Sequence, residues 1–289
     1  MKRLIFILIF IITTSIGFAQ KPAYLLYNTK GKTTNYSKLL KDAMNADIVL
    51  FGELHNNPVC HWLQLELAKD LYSEVADRLI LGAEMFESDN AMLINEYIGD
   101  KIKTRNFEAE AKLWPNYKTD YKPLIEFARE NGLSFIASNI PRRYAAMVNS
   151  GGFEALETLS DKAKELIAPL PVEFDPELPQ YEKMASMMGG QMGDHVSNNT
   201  VKAQAIKDAT MAHFILDNFK PGKVFLHFHG SFHSDFFEGI MWYLQQQNKD
   251  LKIVTLSSVE LDDVDDFPEE KKGAADYILA IPSTMTKTH

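Results

Sequence analysis

The 289-residue sequence contains a single cysteine, Cys60. One thiol cannot close an intramolecular disulfide, nor can it build a metal site from thiolates alone. Positive charge is also scarce: 30 Lys and Arg stand against 39 Asp and Glu, a formal net charge of −9. Nucleic-acid binding depends on a basic stripe that displaces counterions, and the sequence has none, so no nucleic-acid partner is expected. Glycine and proline number only 15 and 12, which excludes a collagen-like or low-complexity chain. What remains, 46% hydrophobic and 24% charged, is the composition of an ordinary folded domain.

The one long apolar run stands at the start, in MKRLIFILIFIITTSIGFAQ. Lys2 and Arg3 precede it, and Gly17 and Ala19 supply the small residues that signal peptidase favours, so cleavage after Ala19 is expected. The run is shorter than the ~20 apolar residues a spanning helix needs. Position 20 is Gln, not Cys, so the lipid attachment of a bacterial lipoprotein is missing. Losing Lys2 and Arg3 takes the charge to about −11. The expectation is an exported, soluble, acidic protein, periplasmic or secreted, with residues 20–289 forming one domain.

Six short runs rich in β-branched and aromatic residues read as buried strands: 47–52, 78–84, 133–139, 223–229, 252–256 and 276–281. Their nearly continuous apolar character fits a mainly parallel sheet covered on both faces. Helical patterns fall between them, at 58–76, 120–131, 141–149, 152–168, 200–219 and 232–248. Such alternation predicts an α/β fold, a mainly parallel central sheet flanked by helices. Residues 169–199 interrupt it. Prolines in PLPVEFDPELPQ forbid regular structure, and YEKMASMMGGQMGDH then allows one or two helical turns before Gly189-Gly190 weakens them. This stretch is expected to be a lid-like helical insertion. Its Met184, Met187, Met188 and Met192 read as gap-filling packing or as a soft apolar wall for a flat ligand.

The polar residues that matter gather at strand ends, where ligands bind in open α/β sheets. FGELHNNPVCH supplies Glu53, His55 and His61; even spacing puts Glu53 and His55 on one side of an extended chain. GAEMFES places Glu84 on an apolar background, where a carboxylate needs a partner. ASNIPRR gives Asn139 and Arg142, and HFHGSFH gives His227, His229 and His233. Gly52-Glu53-Leu54-His55 and Gly230-Ser231-Phe232-His233 repeat one pattern, Gly-x-x-His after a strand. Glycine permits the sharp turn, and the histidine can then point back over the strand end. Glu53, His55, Glu84, His229 and His233 are residue types that bind a divalent metal or perform acid–base chemistry. The acidic run 259–270 lacks the spacing of a calcium loop and reads as a solvated connection between strands.

Several of these motifs, in this order, resemble the ChaN-like haem-binding uptake proteins of the Tiki superfamily. The resemblance rests on GELHNNPVCH, GAEMFES, WPNYKTDYKPLIEFARENG, ASNIPRR, AQAIKDATMAHFI and HGSFH, across about residues 45–240. Tiki-type and TraB-type proteins share the paired Gly-x-x-His turns and the strand-ending Glu; erythromycin esterases are more distantly similar. The resemblance implies an α/β sheet with extra helices, haem as cofactor, and a role in iron acquisition. It further implies a homodimer that sandwiches haem, and outer-membrane uptake machinery as partner. Glu53, His55, Glu84 and His233 fall on the shared motif, with His61, Asn139, Arg142, Gln204 and Asp208 at family-like positions. The motifs do not place the axial ligand, which is open among His55, His61, Tyr117, Tyr121, Tyr181, His195 and the lid methionines, Met188 included. Arg142 or Arg143 suits a haem propionate. The alternative function is a metal-dependent hydrolase, a peptidase or esterase, with Glu53, His55, Glu84 and His233 as its catalytic residues.

Overall fold

The computed structural model describes residues 21–192 and 194–289, except for the side chains of residues 188–197. The expected leader and the side chains of Met188 and His195 lie outside the described residues. Among the described residues eight strands form one sheet: β1 (Leu25–Asn28), β2 (Thr33–Thr34), β3 (Ile48–Glu53), β4 (Leu79–Glu87), β5 (Phe135–Asn139), β6 (Val224–Gly230), β7 (Ile253–Leu261) and β8 (Tyr277–Pro282). Their order is β2-β1-β8-β7-β3-β6-β4-β5. The six strands expected from the sequence are all present and pair in parallel. The short β1–β2 hairpin adds an antiparallel edge that four and two residues were too few to announce.

Among the described residues ten α-helices cover the sheet: α1 (Tyr36–Met44), α2 (Pro58–Val75), α3 (Ala91–Ile98), α4 (Thr104–Glu110), α5 (Lys122–Glu130), α6 (Arg142–Gly151), α7 (Asp161–Lys164), α8 (Pro179–Met192), α9 (Asp194–Asn218) and α10 (Ile240–Gln247). Alternation along β3 shows why both faces need cover. Val49 and Phe51 enter a core with Leu63 and Leu67 of α2 and Leu124 of α5. Ile48 and Leu50 enter a second core with Val148 of α6, Ile206 and Ile215 of α9 and Leu244 of α10. A strand buried on both sides has little reason to carry a polar residue before its end. No helix among the described residues is long and apolar enough to cross a membrane.

Three helical expectations need correction. The pattern over 152–168 is not one helix: a 3-10 turn, Phe153–Thr158, gives way to α7 after an extended Leu159, because the Ser160 side chain caps the new start by accepting the Ala163 N–H. The pattern over 232–248 begins as two 3-10 turns, and the α-helix starts only at Ile240, after Gly239 at φ +54°. Gly239 is required there, since a Cβ would overlap the His233 carbonyl carbon and oxygen. In the insertion, Gly189-Gly190 does not stop the helix after one or two turns. Helix α8 runs fourteen residues, and Tyr181 packs with Val201 and Ala205 of α9. Packing of this kind outweighs the ~1 kcal/mol intrinsic cost of each glycine.

Candidate functional site

The site lies at the carboxyl edge of β3, β6 and β4, and it joins both faces of the sheet. Glu53 ends β3 on the α2 face and is fully buried. Its carboxylate accepts three hydrogen bonds: from His55 Nδ1–H at 2.9 Å, from the Tyr121 hydroxyl at 2.7 Å and from Gln64 Nε2 at 2.5 Å. The local sequence explains the arrangement. Asn57 caps α2 by accepting the Val59 N–H, Pro58 follows at a position that needs no donor, and His61 and Gln64 then share a helix face. His61 Nδ1 lies 3.2 Å from Gln64 Oε1, and its Nε2 lies 3.1 Å from the His55 carbonyl and 3.4 Å from Asp120 Oδ2. Asn116 donates to the His55 carbonyl at 2.8 Å and to Asp120 at 2.6 Å.

A matching group forms on the opposite face. Glu84 of β4 accepts the Gly230 N–H at 2.8 Å and His233 Nε2–H at 3.2 Å. His233 Nδ1–H donates to Asp208 on α9, whose other oxygen accepts the Tyr181 hydroxyl at 2.7 Å. The terminal amide of Gln204 lies 2.9 Å from His233 Nδ1. Each group therefore sets a histidine between two carboxylates, with a tyrosine and a glutamine in support: Glu53–His61–Asp120 and Glu84–His233–Asp208.

Charge follows from this geometry. Burial alone would strip the His233 proton, but the attraction of Glu84 and Asp208 and their hydrogen bonds outweigh it and push His233 up to about 10. Burial would raise Glu84; His233, His55 and the Gly230 N–H instead hold it well below the usual carboxylate range. Burial dominates at Asp208 and raises it. The trio is an imidazolium clamped by two acids.

His55 sits between the two groups and is partly exposed. Burial lowers its basicity, while the Glu53 hydrogen bond and the Glu84 charge raise it above the ordinary histidine value. Its ring lies against the β6 backbone: a Cβ at Gly230 would stand 2.7 Å from His55 Nε2. Glycine in the second Gly-x-x-His turn is what lets the first histidine approach. Trp114 closes the outer side, edge-on at 5.0 Å. Among the site's described histidines, His55 Nε2 is the ring nitrogen left without a hydrogen-bond partner.

His227 and His229 share one face of β6, as their spacing predicts, and both are fully buried. Burial drives His227 down to about 3 and His229 well below its ordinary value, so both are neutral. The Ser138 hydroxyl donates to the Ala83 carbonyl at 3.0 Å, which leaves its oxygen to accept His227 Nε2–H at 2.7 Å. His229 Nδ1–H then donates to His227 Nδ1 at 3.1 Å, and Ser234 donates to His229 Nε2 at 2.8 Å. Both nitrogens of His229 are occupied within this chain. Among the described residues no group of three or more His, Cys, Asp or Glu is arranged to hold a metal ion.

The remaining candidates scatter. Tyr121 and Tyr181 are buried, their hydroxyls committed to Glu53 and Asp208. Tyr117 is buried with its hydroxyl unpartnered, and the Asn139 Oδ1 is likewise unpartnered. Arg142 is exposed, whereas Arg143 pairs with Asp89 and covers the Tyr144 ring. Cys60 is fully buried at the start of α2, where burial pushes its thiol up to about 12, so it supplies no thiolate. Sequence reasoning passed over Gln64, Asn116, Asp120, Ser138 and Ser234. Gln64 stands three residues after His61, and Asn116 and Asp120 are four apart within WPNYKTDY, so helical spacing was the available signal.

Fold and edge together define an α/β protein that builds a histidine–carboxylate site from two Gly-x-x-His turns at the ends of β3 and β6. The chain belongs to the family described as haem-binding uptake, Tiki superfamily, ChaN, whose model matches residues 39–244. ChaN of Campylobacter jejuni, solved with haem bound cofacially, has a similar fold: TM-score 0.69 at 17% identity, covering 90% of this chain and 97% of that one. Erythromycin esterase EreC in its open conformation is similar at TM-score 0.50 and 11% identity, with the same coverages. Among curated proteins, RETICULATA-RELATED 5 of Arabidopsis thaliana, a chloroplastic protein, is 27% identical over 146 residues, 48% of this chain. The match spans only 19% of that relative's length.

Proposed function

We propose that this chain is an exported haem-binding protein serving haem or iron acquisition, with haem as cargo held between two copies of the chain. The family match over residues 39–244 carries the reading. The residues present fit such a cargo. Haem iron takes His, Met, Cys or Tyr as axial ligand, and the protein offers a partly exposed, unpartnered donor atom in His55 Nε2, whereas the unpartnered Tyr117 hydroxyl is buried. The exposed Arg142 guanidinium suits a propionate. A shallow depression of about 470 Å³ on α6 is lined by Arg143, Met147 and Ala155 among others, and none of the candidate iron ligands lines it. Export rests on the leader, and uptake machinery of the outer membrane is the partner this role requires. Haem titrated into micromolar protein should give a shifted Soret band and a mass consistent with a haem-bridged dimer. An unchanged haem spectrum rejects the reading.

One observation favours a second reading, hydrolysis. Glu53 fixes His55 Nδ1 as the protonated nitrogen, which leaves Nε2 as a general base facing the open edge. In that role Nε2 takes a proton from water as the water oxygen attacks an ester or amide carbonyl, and it returns the proton to the alcohol or amine as the carbonyl C–O or C–N bond breaks. Purified protein should then turn over simple esters or peptides, and His55→Ala should lower the rate by about 10²–10⁴. Absence of both bound metal and turnover in the unaltered protein overturns it.

A further inference from the structure

The segment after β8 turns back across the sheet edge and grips the loop that carries His55. The Thr288 N–H donates to the Asn56 carbonyl at 2.9 Å. The Thr288 hydroxyl donates to Asp120 Oδ2 at 2.7 Å. One residue earlier, Lys287 pairs with Glu260 Oε1 on β7, and that same oxygen accepts Asn57 Nδ2 at 2.9 Å. Met285 packs on the core beneath. Contacts from this one segment thus reach Asn56 directly and Asn57 through Glu260, the two residues that follow His55.

Asp120 extends the grip to His55 itself. Its Oδ2 accepts Asn116 Nδ2 at 2.6 Å and lies 3.4 Å from His61 Nε2. Asn116 and His61 hold the His55 carbonyl at 2.8 and 3.1 Å, with the Tyr121 hydroxyl at 3.5 Å. Asp120 is 3% exposed and Asn57 fully buried, so these bonds are made away from water, where losing a partner is felt most. A loop between a strand and a helix is ordinarily the mobile part of such a fold. Here it is tied down by residues more than 160 positions away in the chain.

We propose that residues 285–288 are a strap that positions His55, with Thr288 as the positioning residue acting through Asp120, Asn116 and the Asn56 carbonyl. The strap sets the ring at the edge between the two histidine–carboxylate groups, whichever ligand or substrate that edge receives. It rests on neither reading of the function.

Thr288→Val removes the hydroxyl at nearly constant shape and leaves the backbone bond to Asn56. Native-state hydrogen exchange should then run about tenfold faster at residues 54–57, with exchange in α9 unchanged. The His55 ring resonances should shift in the nuclear magnetic resonance spectrum, and Thr288→Ser should restore both. Three results overturn the proposal: exchange at 54–57 within twofold of the unaltered protein, equal acceleration in α9, or failure of the serine variant to restore. Lys287→Met is a second handle and should speed exchange at Asn57 before other sites; no change there would count against the Glu260 arm.

Discussion

Replacing His233 by alanine is expected to lower folding stability by about 3–5 kcal/mol at neutral pH, the range seen when one partner of a buried ion pair is removed. The substitution takes the only cation from between Glu84 and Asp208, both nearly inaccessible to water. The Gly230 N–H and the Tyr181 hydroxyl still donate to them, but two buried negative charges then face each other. Burial already raises Asp208 with His233 present; without it Glu84 should rise too. Raised carboxylates bind protons more readily folded than unfolded, which narrows the defect as pH falls, while the His233 stabilisation that the variant forfeits is fully present only below about 6.5 and widens it. Urea unfolding at pH 7.5 and pH 5 measures this. A loss below about 1 kcal/mol at either pH would show that the imidazolium clamp does not hold the edge together.

Acid is expected to destabilise the unaltered protein as pH falls through the ordinary histidine range. His227 and His229 are folded with depressed pKa values, about 3 for His227 and well below normal for His229, because burial excludes the charged form. Unfolded, each would titrate near the ordinary value of about 6.5. Below that pH the unfolded chain binds protons that the folded one refuses, so stability rises with pH in this window and is lost as pH falls through it. The limiting slope is about 1.4 kcal/mol per pH unit for each of the two rings. The half-buried His213 adds to it in the same direction. His233 contributes nothing to this slope: its raised value makes its stabilisation fully present below 6.5 and lost only as pH climbs toward about 10. Glu84, held low, gives way only below the ordinary glutamate range. Urea midpoints between pH 6.5 and 4.5 should fall steeply, and His227→Gln, which keeps a hydrogen-bonding group, should flatten the fall. A level profile in that interval would mean the two rings are not buried neutral.

The sheet was legible because burial on both faces leaves a plain signature. Strands such as IVLFGE and VFLHFHG are too uniformly apolar to be anything but interior, and their polar exceptions mark the edge. The strand-end motifs point to one edge, where Glu53 bonds His55 and Glu84 bonds His233. Periodicity failed where the structure depends on single residues: the Ser160 cap, the turn at Gly239, and the persistence of α8 through two glycines. Asp120, Asn116 and Gln64 were not legible as site residues, because their role is fixed by what lies opposite them in space. His229 illustrates the same limit from the other side. Its residue type suggested a ligand, but only its neighbours Ser234 and His227 reveal that both nitrogens are already engaged.

The order of strands in the sheet also sets a timetable. Strand β3, formed by residue 53, finds its two neighbours in β6 and β7, about 170 to 200 residues further along the chain. Strand β1 waits still longer, for β8. A ribosome must therefore deliver nearly the whole sequence before the centre of the sheet can close. Pairing this distant is slow to form, and the chain stays open until its last strands emerge.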